Sequence, residues 1–216
     1  MTAGTVAFLM TDIEGSTKRW ERDAAAMARA LERHDAILRQ AIEGAGGRVY
    51  KTVGDAFCAV FQSPLAAVSA ARTAQRAVAG EDWAALLPDF PPLAVRMAIH
   101  AAVVDDAGGD FVGPQGARAQ QLLAAGHGGQ VLLSAAAAEL VRDDLPAALG
   151  LRDLGEHRLP DLSRPQRVFQ LAAPGLERAF PPLRTLDQRP NNLPQQPASF
   201  VGRQADLAEL AGLVAP

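Results

Sequence analysis

Cysteine, excess basic charge and long apolar runs are all scarce in this sequence of 216 residues. The one cysteine, Cys58, excludes an internal disulfide and a thiolate metal cluster, a usage typical of a reducing compartment. A formal net charge of −3 offers no basic field to a nucleic-acid backbone, so the sequence predicts no nucleic-acid partner. No charge-free apolar run approaches the ~20 residues that span a bilayer, and the N-terminus lacks a secretory signal pattern. We therefore expect a cytoplasmic protein with no membrane partner.

What is present is an ordinary globular composition, with 49% hydrophobic and 21% charged residues. The composition changes near Pro181, and proline, asparagine and glutamine dominate the stretch from Gln188 to Pro197. Such a stretch is typical of a linker. We expect one folded domain over residues 1–180, followed over residues 181–216 by a linker and the start of a truncated downstream segment.

The apolar patterning predicts an α+β fold. Helices interrupt hairpins instead of alternating singly with strands, which favours a mixed or antiparallel sheet with helices packed on it. The predicted strands are Thr5 to Met10, Arg48 to Val53, Ala56 to Phe61, Leu93 to Val104, Gln130 to Leu133, Leu151 to Leu159 and Gln166 to Leu171. The predicted helices run from Asp23 to Gly44, from Ser63 to Gly80, from Pro114 to Ala125 and onward from Ser134, with a loop from Trp83 to Pro92.

Two isolated acids stand at the ends of predicted strands. Asp12 ends the first apolar run and is followed by a small-residue turn that opens into a helix, while Asp55 lies in the turn of the first hairpin. Either acid alone is accounted for by a helix cap or a turn. Together, beside a Gly-Ser-Thr turn, they favour a site for a divalent metal and a polyphosphate.

Three blocks resemble the signature motifs of class III adenylate/guanylate cyclases. They are Thr11 to Thr17, Lys51 to Asp55 and Asp110 to Gly113, in the order and approximate spacing of that family. The resemblance covers residues 4–172 and implies the ferredoxin-like cyclase fold. It is strongest to the bacterial branch in which the domain precedes a signalling ATPase and a DNA-binding regulator, since Asn192 to Pro194 and Ser199 to Arg203 are similar to the lead-in of that ATPase.

The resemblance implies a reaction and its ligands: attack of the 3′-hydroxyl on the α-phosphate of a nucleoside triphosphate, giving a cyclic nucleotide and pyrophosphate. Two Mg²⁺ or Mn²⁺ ions would be held by Asp12, Asp55 and the Ile13 carbonyl. Lys51 and Asp110 would read the base, a pair that goes with adenine and hence ATP. The backbone N–H groups expected to hold the phosphates are those of Glu14, Gly15, Ser16 and Thr17.

The resemblance also implies a symmetric head-to-tail homodimer with two equivalent sites. In that arrangement Asp12 and Asp55 come from one chain, and Lys51 and Asp110 come from its partner.

The sequence departs from the family at three positions. Ala117 and Gln121 stand where the family has a ribose-orienting asparagine and a transition-state arginine, and Pro160 stands where it has a phosphate-binding lysine. Arg118 is a possible stand-in for the arginine because it lies close to Gln121 on the same predicted helix. We expect slow or undetectable cyclase activity with metal-dependent nucleotide binding retained.

Three other interpretations stay open at this point. The departures favour a non-catalytic module that binds a nucleotide or only dimerises and so regulates a downstream unit. The run Gly108-Gly109-Asp110-Phe111 is similar to a diguanylate cyclase motif, although it lacks that motif's additional acid. A nucleic-acid-binding regulator is suggested only by association with the bacterial branch, because the sequence has no basic stripe or recognition helix.

Overall fold

A single mixed sheet runs through the chain in a computed structural model that describes residues 3–105 and 113–188. Its strands are β1 (Ala3–Ile13), β2 (Arg48–Val53), β3 (Ala56–Phe61), β4 (Val95–Asp105), β5 (Val131–Ser134), β6 (Gly150–His157) and β7 (Gln166–Ala172). The helices are α1 (Ser16–Arg22), α2 (Ala24–Gly44), α3 (Pro64–Ala79), α4 (Trp83–Leu86), α5 (Pro114–Ala125) and α6 (Ala135–Val141), with a 3-10 turn at Leu186–Gln188.

The strand order is β2-β3-β1-β4-β5-β7-β6. Each neighbouring pair is antiparallel except β4 and β5, which run parallel. The predicted α+β class and mixed sheet are therefore confirmed. β1 and β4 pair over their full lengths, from Ala3 opposite Asp105 to Ile13 opposite Val95, and form the centre of the sheet.

The two faces of the sheet have separate cores. On one face, α2, α3 and α6 bury a large apolar cluster with Leu9, Phe57 and Ile99 among its members. On the other face, α5 packs through Leu122 and Leu123 on a smaller cluster. None of the helices in the described ranges combines the length and the apolar character needed to cross a membrane.

Side-chain caps account for three of the six α-helix starts in the described ranges, those of α2, α3 and α6. The Asp23 carboxylate accepts the Ala26 N–H at 2.9 Å, and Ser63 and Ser134 cap α3 and α6 in the same way. The segment from Trp83 to Pro92 was predicted to be a loop, but it begins with the short helix α4. The cause is tertiary: the Trp83 ring is buried and its indole N–H donates to the Val78 carbonyl at 2.8 Å.

The chain after β7 returns across the domain. Leu183 and Thr185 are buried, and the Arg184 N–H donates to the Ala125 carbonyl at the end of α5 over 2.9 Å. Residues that follow the boundary predicted at residue 180 therefore pack on the domain as far as Thr185. The predicted linker and downstream segment from residue 189 onward lie outside the described residues.

Candidate functional site

The pairing of β1 with β3 places Asp55 alongside the end of β1, where Asp12 lies. Thr11 lies opposite Phe57, so the turn that precedes β3 comes alongside the end of β1. One Asp55 carboxylate oxygen accepts the backbone N–H of Ile13 at 2.7 Å, and the other accepts the Ser16 hydroxyl at 3.3 Å. Asp55 is thus fastened to the residue that directly follows Asp12.

The Asp12 carboxylate is held by an arginine that the sequence analysis missed. Asp12 lies opposite Arg96 in the β1–β4 ladder, and the Arg96 guanidinium grips the carboxylate with two N–H groups, one of them at 2.7 Å. Both side chains are about one-fifth exposed, so the pair is shielded but open on one side. This geometry fixes the direction of the Asp12 carboxylate.

Glu14 has a different role from the one predicted. Its backbone N–H donates to the Ala94 carbonyl at 2.9 Å, so it is not free to hold a phosphate. Its carboxylate accepts the Gly128 N–H at 2.8 Å and pairs with Arg184. Burial by itself raises the pKa of the Glu14 carboxyl, but the Arg184 and Gly128 contacts outweigh it and hold this pKa below its ordinary value.

The turn at Gly15 leads directly from the acids into α1. Gly15 caps that helix with φ of 71°, in the left-handed region that favours glycine. Ser16 and Thr17 form the first residues of the helix, and Thr17 is exposed. The predicted phosphate donors are therefore reduced to the amides of Gly15, Ser16 and Thr17.

Lys51 lies on the edge strand β2, on the same sheet face as Asp12. It pairs with Cys58 on β3, and Cys58 pairs with Met10 on β1, two residues before Asp12. The lysine is exposed. Asp110, the residue predicted to read the base together with Lys51, lies outside the described residues, so their joint role stays a prediction.

Ala117 and Gln121, the two residues of α5 that depart from the family pattern, lie on the accessible side of the helix. Ala117 and Arg118 are exposed one turn after the start of the helix. The Gln121 side-chain amide donates to the Asp161 carboxylate at 2.9 Å, which links α5 to the connection between β6 and β7. Pro160 lies in that same connection, next to Asp161.

The donor set for a cation is small. Within residues 3–105 and 113–188, no three His, Cys, Asp or Glu side chains come together as a metal site. Asp12 and Asp55 are two carboxylates at the end of β1, and the Ile13 carbonyl, water and phosphate oxygens are further hard ligands of the kind that a divalent cation prefers. Because a carboxylate has about four lone-pair positions, Asp12 can keep its Arg96 contacts and still ligate a cation.

Comparison with known proteins gives consistent matches. Residues 1–147 match the family described as the Adenylate and Guanylate cyclase catalytic domain. The chain is 38% identical over 208 residues to the uncharacterized protein Rv0891c of Mycobacterium tuberculosis, covering 95% of this chain and 69% of that protein. It is 29% identical to a receptor-type adenylate cyclase of Trypanosoma equiperdum, over 83% of this chain and 46% of that protein.

Solved structures agree with these sequence matches. An adenylate cyclase from Trypanosoma brucei in its monomeric state superposes with a TM-score of 0.73 at 28% identity, covering 84% of this chain and 95% of the other. The adenylyl cyclase CyaB of P. aeruginosa shares the fold, with a TM-score of 0.68 at 24% identity over 79% of this chain and 95% of the other. This chain therefore belongs to the adenylate and guanylate cyclase catalytic domain family.

Proposed function

We propose that the chain is a nucleotide cyclase that converts ATP to cyclic AMP and pyrophosphate, with two Mg²⁺ or Mn²⁺ ions at a site shared by two copies of the chain. The observation that supports this most is the junction of Asp12 and Asp55 through the Ile13 backbone. Asp55 comes from a distant part of the sequence and is bonded to the residue after Asp12, so both acids lie at the end of the same strand, where they would bind a metal-bound triphosphate.

The residues at this junction fit hard divalent cations. Carboxylate and carbonyl oxygens are the ligands that Mg²⁺ and Mn²⁺ prefer, and Asp12, Asp55 and Ile13 supply them. Two such ions would lower the pKa of the 3′-hydroxyl and withdraw charge from the phosphates. Asp12 and Asp55 would hold the ions, and Arg96 would keep the Asp12 carboxylate aimed at them.

The base and phosphates would be bound by other parts of the chain. The amides of Gly15, Ser16 and Thr17 would donate hydrogen bonds to phosphate oxygens. Lys51 and Asp110 would select adenine through hydrogen bonds to its edge. Lys51 and Asp12 lie on one face of the sheet. If this face is the dimer interface, a twofold axis would place Lys51 of each copy beside Asp12 of the other copy and produce two equivalent sites.

Turnover would be slow. A preorganised donor at a transition state contributes about 10²–10³ in rate. Ala117 and Gln121 present neither a cationic donor nor a ribose-orienting amide free for substrate, because the Gln121 amide is bonded to Asp161. We expect a rate lower by about 10³ or more than that of a site with both groups.

A second candidate is a regulatory module that binds a nucleotide without turning it over. The Gln121–Asp161 bond favours this function, since it gives the residue at the transition-state position a structural partner. We propose the cytoplasm as the location and a signalling ATPase or regulator as the downstream unit, by resemblance to the bacterial branch.

One assay separates these functions. Purified protein is incubated with Mn²⁺ and ATP, cyclic AMP is quantified, and ATP binding is measured by isothermal titration in the same buffer. Binding with slow cyclic AMP formation supports the cyclase, and binding without turnover supports the regulatory module. No Mn²⁺-dependent ATP binding would contradict both.

A further inference from the structure

An open groove of about 590 Å³ lies between α5 and the connection from β6 to β7. Its volume falls within the 300–1,000 Å³ that is typical, to order of magnitude, of small-molecule sites. The helix contributes Ala117 and Arg118, and the connection contributes Asp161, Ser163 and Arg164. The groove thus includes the position of the missing ribose-orienting group and lies beside that of the missing arginine.

The charges in the groove favour an anion. Arg118 and Arg164 are both exposed, and within the described ranges neither side chain forms an ion pair. Asp161, the carboxylate of the groove lining, already accepts the Gln121 amide at 2.9 Å. The charge of Arg118 also acts on His100: burial is the main cause of the lowered pKa of His100, and the positive charge of Arg118 lowers it further. The groove is therefore lined by two accessible guanidinium groups and by one carboxylate that already accepts a hydrogen bond.

The connection that bears Arg164 is held firmly at its base. Leu159 is buried, and the backbone of Arg158 is bonded on both sides, with its N–H donating to Asp187 at 2.7 Å and its carbonyl accepting from Leu186 at 3.0 Å. Asp161 adopts φ of 59°, a left-handed conformation that is unfavourable for a residue other than glycine. The bond from Gln121 helps to keep Asp161, and the chain that follows it, in this conformation.

We propose that Arg118 and Arg164 are the residues of this chain that contact the triphosphate, and that Gln121 positions the Arg164 loop through Asp161. The proposal rests on the cyclase function proposed above and identifies where the phosphate-binding charge has moved. Guanidiniums suit this task because their planar donors match phosphate oxygens in pairs. Gln121 is a positioning residue here, since it touches the loop and not the nucleotide.

The test compares Mn²⁺-ATP with Mn²⁺-AMP, which share base and ribose but differ in phosphate charge. Dissociation constants are measured by titration for the full chain and for Arg118→Ala and Arg164→Ala. Each substitution should weaken ATP binding about fivefold and AMP binding less than about twofold. The lysine variants should recover part of the loss. Arg29→Ala, on the opposite face of the sheet, removes the same charge and should change neither constant.

The positioning role has its own readout. Gln121→Leu is similar in size but cannot bond to Asp161, so it should weaken ATP binding by about the same factor as Arg164→Ala. Gln121→Leu combined with Arg164→Ala should bind ATP no more weakly than Arg164→Ala alone. Gln121→Leu combined with Arg118→Ala should show the sum of the two single losses in ATP affinity. Additive losses with both arginines would contradict the positioning role.

The outcomes distinguish this proposal from the cyclase function. Arginine variants that bind Mn²⁺-ATP as the unsubstituted chain does would overturn the groove assignment and leave the cyclase function intact. Equal losses for ATP and AMP would also overturn it, because the arginines would then act on the fold. An unsubstituted chain that binds no Mn²⁺-ATP would overturn both. Thermal unfolding of every variant verifies that the domain is intact.

Discussion

Replacing Asp55 with asparagine separates its structural role from its role toward a cation. The asparagine keeps the size of the side chain and one acceptor oxygen, but it loses the negative charge and one of two acceptor positions. In the structure those positions take the Ile13 N–H at 2.7 Å and the Ser16 hydroxyl at 3.3 Å. At the longer contact the asparagine presents an N–H₂ group in place of an acceptor oxygen, so the Ser16 hydroxyl has to accept there instead of donating to a charged group.

The structural cost should be modest. A hydrogen bond to a charged group contributes about 1.5–3 kcal/mol and one between neutral groups about 0.5–1.5 kcal/mol, so the loss is about 1–2 kcal/mol. For a domain of this size, that lowers Tm by about 2–8 °C. The two proteins should differ more clearly in their response to Mn²⁺. At 100 times its Kd, the ion should stabilise the unsubstituted chain by about 2.7 kcal/mol, whereas it should add almost nothing to the stability of Asp55→Asn.

The assay is thermal unfolding with increasing MnCl₂, with and without ATP. Asp153→Asn is the matched control, because Asp153 also accepts a backbone N–H, from Gly155, and a side-chain donor, from Arg167, but lies on β6. It should lose stability and keep the full Mn²⁺ response. A full Mn²⁺ response in Asp55→Asn would refute the metal-binding role of Asp55.

Three further predictions follow from the same structure. Ala117→Asn with Gln121→Arg should raise the rate of cyclic AMP formation at saturating ATP by at least about tenfold; adding Asp161→Asn should raise it further, because the Asp161 carboxylate would otherwise pair with the new arginine. Burial lowers the pKa of His100, so the stability that the neutral imidazole contributes should be complete above a pH of about 6.5 and should fall as the pH drops below it. In urea unfolding between about pH 7 and 5, His100→Gln should therefore show a free energy of unfolding that depends less on pH than that of the unsubstituted chain. A chain ending at residue 180 should unfold about 3–12 °C below one ending at residue 188, because burial of Leu183 contributes about 1.5–3 kcal/mol.

Each of these has a contrary result. Unchanged turnover in the folded, dimeric double variant would mean that the departures do not limit the rate. Parallel pH profiles for the two proteins would remove His100 as the source of the acid sensitivity. Equal unfolding temperatures for the two chain lengths would mean that the segment after residue 180 adds nothing to the domain.

The sequence predicted the strands and turns around Asp12 and Asp55 well because their signals are local. Asp12 ends an apolar run, Asp55 lies in a two-residue hairpin turn, and β1–β3 pairing then places that turn alongside the end of β1. Ser134 and Asp23 predicted two helix starts through side-chain capping. Such features depend on a few neighbouring residues, and the tertiary structure reinforces them.

The missed contacts are those between distant parts of the chain. Glu14 pairs with Arg184 across 170 positions, and no local pattern points to that partner. Trp83 starts a helix only because its ring is buried against the end of α3. Arg96 gave a usable signal, since it is the one charged residue, apart from a histidine, between Leu93 and Val104. A lone arginine in an apolar strand indicates a carboxylate partner nearby.

The central claim is that Asp12 and Asp55 hold cations that bind a triphosphate. A crystal structure of the chain with MnCl₂ and a non-hydrolysable ATP analogue, with anomalous data collected at the manganese edge, tests this most directly. We expect two manganese peaks ligated by both carboxylates, beside the phosphates and facing Lys51 of a second copy. Manganese bound elsewhere, with the nucleotide away from both acids, would contradict it.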